Sequence, residues 1–187
     1  LDGEEDWVEM EPQSLSKLET ATIEVWVNPR SLEYKPERRP MQRIFHYGAK
    51  NNDVSINVSN GLGDVRSVFY LLTARGVLGQ LGPGSPILEN GVWIHLACVS
   101  GPGGMKLYAN GELVEGNSDT RSFSSVASTS MFLGRGNTGE PGLVAFPGQL
   151  DEFRVWSQAR TGEQIRANMN RRLRGDELNL VGLWNFD

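Results

Sequence analysis

Residues 92–114 read VWIHLACVSGPGGMKLYANGELV, and this stretch decides the fold. A dense apolar strand runs into a Gly/Pro loop, a second strand follows, and Asn110-Gly111 turns tightly into a third. Asn-Gly between alternating residues is the strongest short hairpin signal, because a type I′ turn needs positive φ at both central positions. In the first strand Ile94, Leu96 and Cys98 share one face, and Trp93, Ala97 and Val99 the other. Apolar residues on both faces mark a strand covered on both sides. The chain is built around a β meander.

Outward from this hairpin the same period recurs. Thr20–Val27 alternates, with Ala21, Ile23, Val25 and Val27 on one face and Thr20, Thr22, Glu24 and Trp26 on the other, until Asn28-Pro29 ends the ladder. Further strands are expected at Trp7–Met10, Arg43–Gly48, Asp53–Val58, Val65–Leu72, Met131–Gly134, Gly148–Trp156 and Leu178–Phe186. Loops are expected at Leu32–Arg39, Gly82–Pro86 and the glycine-rich Gly134–Pro147. One helix stands out: Thr161 caps it, Gln164 completes a capping box, and Ile165, Met169 and Leu173 follow at four-residue spacing. The fold class is all-β, a two-sheet antiparallel sandwich with one short helix near the C-terminus.

The 187 residues are read as a single domain with room for a full core. A formal net charge of -5 argues against a nucleic-acid binder, which needs a basic face. No apolar run reaches the roughly 18–20 residues of a membrane helix. The start, Leu1-Asp2-Gly3-Glu4, has neither the Met nor the charged-then-apolar pattern of a signal peptide. The expectation is a module from a larger multidomain protein. The lone Cys98 excludes an internal disulfide and, in its apolar strand, reads as a buried thiol.

Five segments in order resemble the laminin G-like, concanavalin A-like jelly-roll family, which includes pentraxin-like modules. Leu1–Gly3 with Asp6–Glu9 is similar to its opening strand and turn, and Thr22–Val27 and Gly91–Ala97 to its next two strands. Lys106–Gly111 is similar to its hairpin, and Phe146–Trp156, backed by the Gln164-Ile165 helix, closes the set. The resemblance covers nearly the whole chain. It implies a jelly roll and an extracellular or cell-surface domain that binds a glycan or a protein. A fold shared by many functions does not choose the ligand.

Hydrolysis has little in the sequence to support it. Glycanases need paired carboxylates across a sugar groove, and Glu9-Met10-Glu11 and Asp151-Glu152 lack the alternating acidic strand pattern. The two histidines, His46 and His95, lie inside apolar strands and read as hydrogen-bonded structural rings. No catalytic residue is assigned. Calcium is the cofactor to weigh, because hard oxygen ligands converge at loops of this kind. The resemblance points to Asp151, which Asp2 and Asp6 would join if the first strand lies beside it. Asn51-Asn52-Asp53 reads as a turn rather than a second site.

For a glycan or protein ligand the binding rim is expected in loops. Tyr34, Arg38 and Arg39 offer an exposed aromatic and two cations, and Arg135 and Asn137 stand in the glycine-rich loop. The five tryptophans, Trp7, Trp26, Trp93, Trp156 and Trp184, read as core fillers. The arginines around the helix, Arg160, Arg166, Arg171, Arg172 and Arg174, read as a solvated face. Asn57-Val58-Ser59 satisfies the glycosylation sequon. The reading is a non-catalytic extracellular recognition or adhesion module, binding through loops with calcium as an optional support. A structural spacer between neighbouring domains is the alternative, and a glycan hydrolase or lyase ranks below both.

Overall fold

The structure, a computed structural model, describes residues 1–3, 6–12, 15–32, 41–49, 52–59, 67–74, 77–82, 86–128, 130–136 and 143–186. Its strands are β1 (Val8–Met10), β2 (Ala21–Pro29), β3 (Met41–Ala49), β4 (Asn52–Ser59), β5 (Ser67–Ala74) and β6 (Val77–Leu81). They continue with β7 (Ile94–Ser100), β8 (Lys106–Ala109), β9 (Glu112–Gly116), β10 (Met131–Leu133), β11 (Leu143–Ala145), β12 (Gly148–Trp156) and β13 (Leu180–Trp184). A seven-stranded sheet runs β1-β10-β3-β4-β5-β6 with β11 beside β3, and a six-stranded sheet runs β13-β12-β2-β7-β8-β9. All pairings are antiparallel except β11 with β3. This is a two-sheet jelly-roll sandwich.

The opening hairpin behaves as its sequence dictates. Asn110 has φ 48° and Gly111 φ 78°, as a type I′ turn requires. The Asn110 side chain also accepts from the His95 amide at 2.9 Å, fixing the turn against β7. Gly111 has a second reason to lack a side chain, because a Cβ there would collide with Arg166 of the helix packed above it. Every residue of β7 is buried. Burial also pushes the Cys98 thiol pKa far up, so it stays a protonated packing group.

The space between the sheets is filled by Ile23, Val25, Val27 and Leu96 from one side and Phe45, Ile56, Tyr70 and Leu133 from the other, all at 0% exposure. Phe45 ties the layers together, with its ring 5.3 Å from Phe153 and 6.3 Å from Phe123. Pairs in this range add about 0.5–1.5 kcal/mol beyond their buried area.

Two strands depart from the expected pattern. β6 is not among the expected strands, because Gly79 stands at one of its two buried positions, where Asp119 packs in the place of a Cβ. β11 lies inside the stretch expected to be loop, and its three residues pair parallel to β3. The sequon is corrected as well. Asn57 is fully buried in β4, donating its amide to Ser55 Oγ at 3.1 Å, and is not a surface acceptor.

The helix α1 (Gly162–Asn168) carries the expected capping box, with the Gln164 amide donating to Thr161 Oγ1 and the Thr161 amide to Gln164 Oε1. It covers the outer face of the six-stranded sheet. Ile165 packs there with Ala97, Val99 and Tyr108 as a small second core. Beside it lies a buried charge cluster. Glu24, at 0% exposure, faces Arg160 Nε at 3.3 Å, His95 Nε2 at 3.3 Å and an Arg154 nitrogen at 3.8 Å. These are charge contacts, as neither Glu24 oxygen has a well-aligned hydrogen bond. Arg154 also donates to the Asn168 carbonyl at the end of the helix and to the Arg171 carbonyl beyond it, at 2.9 and 2.7 Å. Arg160 is thus corrected from solvated to buried, with its guanidinium 3.8 Å over the Trp156 ring.

Candidate functional site

The exposed tryptophans locate the site. Trp156 is buried, as a core filler should be, but Trp93 is 40% and Trp7 41% exposed. Trp93 stands just beyond the last β2–β7 pair, Val27–Ile94, at the end of the sheet where neighbouring strands no longer cover it. The chain reaches it through a turn in which Gly91, at φ 75°, donates to the Pro29 carbonyl at 2.7 Å.

A bulge in β12 supplies the polar partners. Register shifts between Asp151 and Arg154, and Glu152 takes φ 49°, a conformation that a non-glycine residue adopts only when its surroundings impose it. Asp151 Oδ1 accepts from the Glu152 amide at 2.7 Å and the Phe186 amide at 3.4 Å, and Oδ2 has no partner among the described residues. Glu152 turns back to Arg154 at 2.8 Å.

Two depressions meet at Trp93 and Asp151. One, of about 370 Å³, is mixed: Trp26 lies in it with Glu152, Arg154, Arg171 and Arg172 around it. The Trp26 ring is fixed by its Nε1, which donates to the Met169 carbonyl at 2.9 Å, and by an edge contact with His95. The other, of about 330 Å³, is more apolar and is lined by Leu1, Val8, Leu150 and Phe186. The result is a partly exposed indole shared by two hollows, the second more apolar than the first, with an open carboxylate oxygen in the same lining. Such a surface can stack on the apolar face of a sugar ring and accept from its hydroxyls.

The residues expected to bind fare differently. Tyr34, Arg38, Arg39 and Asn137 lie outside the described residues. Arg135 is described and stacks its guanidinium 3.8 Å over Trp7 and 4.6 Å over Phe132. The calcium set is not brought together. Asp2 and Asp6 each accept the other's amide, at 3.1 and 3.0 Å, and Asp151 is committed to the bulge. No three His, Cys, Asp or Glu side chains among the described residues converge as a metal site. Backbone amides already occupy one oxygen of each of these carboxylates. Asp53, of the other stretch weighed for a metal, pairs with Arg43 at 3.3 Å, and Asn51 lies outside the described residues.

Both histidines are buried, but only His46 is the hydrogen-bonded ring expected, as the His95 nitrogens make no hydrogen bond among the described residues and Nε2 only faces Glu24 at 3.3 Å. His46 Nε2 donates to the Gly48 carbonyl at 3.0 Å, which leaves Nδ1 to accept from Arg43. Burial, reinforced by the Arg43 charge, lowers its pKa from 6.5 to about 4, so the ring is neutral.

A family model for the concanavalin A-like lectin/glucanases superfamily matches residues 2–166. The chain belongs to this superfamily. Solved superfamily-like folds share its architecture at low identity. A candidate carbohydrate-binding protein from Bacteroides ovatus superposes with a TM-score of 0.76 at 20% identity, over 98% of this chain and 50% of that one. Domain 4 of the extracellular arabinanase AbnA from Geobacillus stearothermophilus, in complex with arabinotriose, gives 0.62 at 21% identity, over 86% and 71%. The heptameric SAP-like pentraxin of Limulus polyphemus gives 0.60 at 21%, over 87% and 76%. The chain thus spans half the length of the Bacteroides protein. A search of curated protein sequences finds no match. None of the described helices is long and apolar enough to cross a membrane.

Proposed function

We propose that this chain is a non-catalytic glycan-binding module acting outside the cell or on its surface. The observation that carries the reading is Trp93, a large aromatic left 40% exposed and shared by two hollows, with Asp151 in the same lining. Similarity to the carbohydrate-binding candidate and to the arabinotriose-bound domain supports the same ligand class. The site favours binding over hydrolysis. Glycoside cleavage needs one carboxyl kept protonated as an acid. Glu152 instead spends its carboxylate on the Arg154 guanidinium at 2.8 Å, and Asp151 accepts backbone amides.

A neutral and acidic oligosaccharide array tests this directly. Wild-type protein is expected to bind a defined subset saturably, with Trp93→Ala losing at least tenfold in affinity, about 1.4 kcal/mol. Leu178→Ala, at a side chain 84% exposed and away from both hollows, is expected to bind as wild type. An array with no saturable binder, or equal binding by Trp93→Ala, would remove the reading.

A further inference from the structure

A second aromatic site lies on the other sheet, and its central feature is a cation without an anion. Arg43, Arg121, Arg154, Arg160, Arg166 and Arg174 each meet a carboxylate within 4 Å. Arg135 meets none among the described residues and makes no hydrogen bond. Instead its guanidinium lies over Trp7 and Phe132. Phe132 belongs to a cross-strand row, Glu9–Phe132–His46–Ser55, on the outer face of the seven-stranded sheet. Glu9, the acid of that row, is exposed and does not pair with Arg135.

Stacking occupies the flat face of a guanidinium and leaves its in-plane donors free. Nε of Arg135 is buried without an acceptor, whereas its terminal nitrogens keep solvent access. Aromatic contacts fix the side chain's direction before a ligand arrives, so little rotamer entropy remains to be lost on binding. A planar, monovalent acceptor suits such a fork, as two parallel N–H donors match two carboxylate oxygens. Arg43, the next cation along this face, is already paired with Asp53. The planar fork matches the two coplanar oxygens of a carboxylate more closely than the tetrahedral oxygens of a sulfate or phosphate ester. The exposed part of Trp7 supplies an apolar surface at the same spot.

We infer that Arg135, held by Trp7 and Phe132, is a recognition site for the carboxylate of an acidic sugar, separate from the Trp93 groove. This rests on the glycan-binding reading. The test titrates glucuronate-, galacturonate- and N-acetylneuraminate-terminated oligosaccharides, each beside its carboxyl-reduced counterpart, into the whole chain by calorimetry. At least one acidic member is expected to bind tenfold or more tighter than its reduced form, with affinity falling as salt rises. Arg135→Gln is expected to abolish that preference, and Arg135→Lys, which keeps the charge without the fork, to weaken it severalfold. Unchanged thermal midpoints and unchanged neutral-glycan binding show that the variants are folded. Equal binding of acidic and reduced members, preference retained in Arg135→Gln, or displacement by acetate at the oligosaccharide's own concentration would overturn the inference. Saturable neutral-glycan binding that needs Trp93, without any acidic preference, sinks this inference alone. Absence of any saturable glycan sinks the reading beneath it.

Discussion

The outer faces of the two sheets are finished in opposite ways. On the six-stranded sheet the helix α1 and its flanking segment close the face with Ile165 and a buried Glu24–His95–Arg154–Arg160 cluster. Glu24 and Glu152 together balance its two guanidiniums, and Arg154 also holds the Asn168 carbonyl at the end of the helix. On the seven-stranded sheet Arg43, His46 and Asp53 likewise satisfy one another, but Arg135 at the margin is held only by aromatic rings. The difference separates two uses of arginine. Paired with acid and carbonyl, it fastens structure; stacked and unpaired, it is ready for a partner.

Glu24→Gln should break the closed face most severely. Removing that charge leaves the buried Arg160 guanidinium without a carboxylate, while Arg154 keeps Glu152, at a cost of about 3–5 kcal/mol. Urea unfolding measures it, and a loss under about 1 kcal/mol would mean that water rather than Glu24 compensates Arg160.

The other face is expected to respond to pH. His46 is neutral when folded, with its pKa lowered to about 4, whereas the unfolded ring has the ordinary 6.5. The unfolded state therefore takes up the proton first as pH falls. This contribution is fully present above about 6.5 and is lost between there and about 4, amounting to about 3 kcal/mol for this fully buried ring. His46→Gln should flatten stability across that window. A slope as steep as wild type would assign the effect to other groups.

A smaller effect is expected from Thr161→Ala, which removes half of the capping box at the start of α1. It should cost about 1 kcal/mol without altering the Trp93 groove. A change in glycan affinity larger than the change in stability would join the lid to the site.

Much of this architecture was legible in sequence because it is local. The Asn110-Gly111 turn and the Thr161–Gln164 box need only a few adjacent residues to specify them, and alternation assigned Glu24 and Trp26 to one face correctly. What alternation cannot convey is what covers a face. Glu24 and Thr22 fall on the face opposite Ile23 and Val25, and they are buried because a segment more than 130 residues later folds over them, with Thr22 donating to the Gln158 carbonyl at 2.7 Å. Trp93 had the reverse outcome. Its strand context suggested core, yet its place at the strand's very start left it exposed. The bulge at Glu152, which sets Asp151 beneath it, shows in the sequence only as a break in alternation, where the polar pair Asp151-Glu152 separates Leu150 from Phe153, and no interior glycine marks it.

The most direct measurement titrates the strongest array ligand into wild-type protein and Trp93→Ala, with chromatography of the same mixtures for sugar products. The account predicts saturable binding by wild type, at least tenfold loss in the variant, and an intact ligand in both. Undiminished affinity in Trp93→Ala, or release of shorter sugars by wild type, would contradict it.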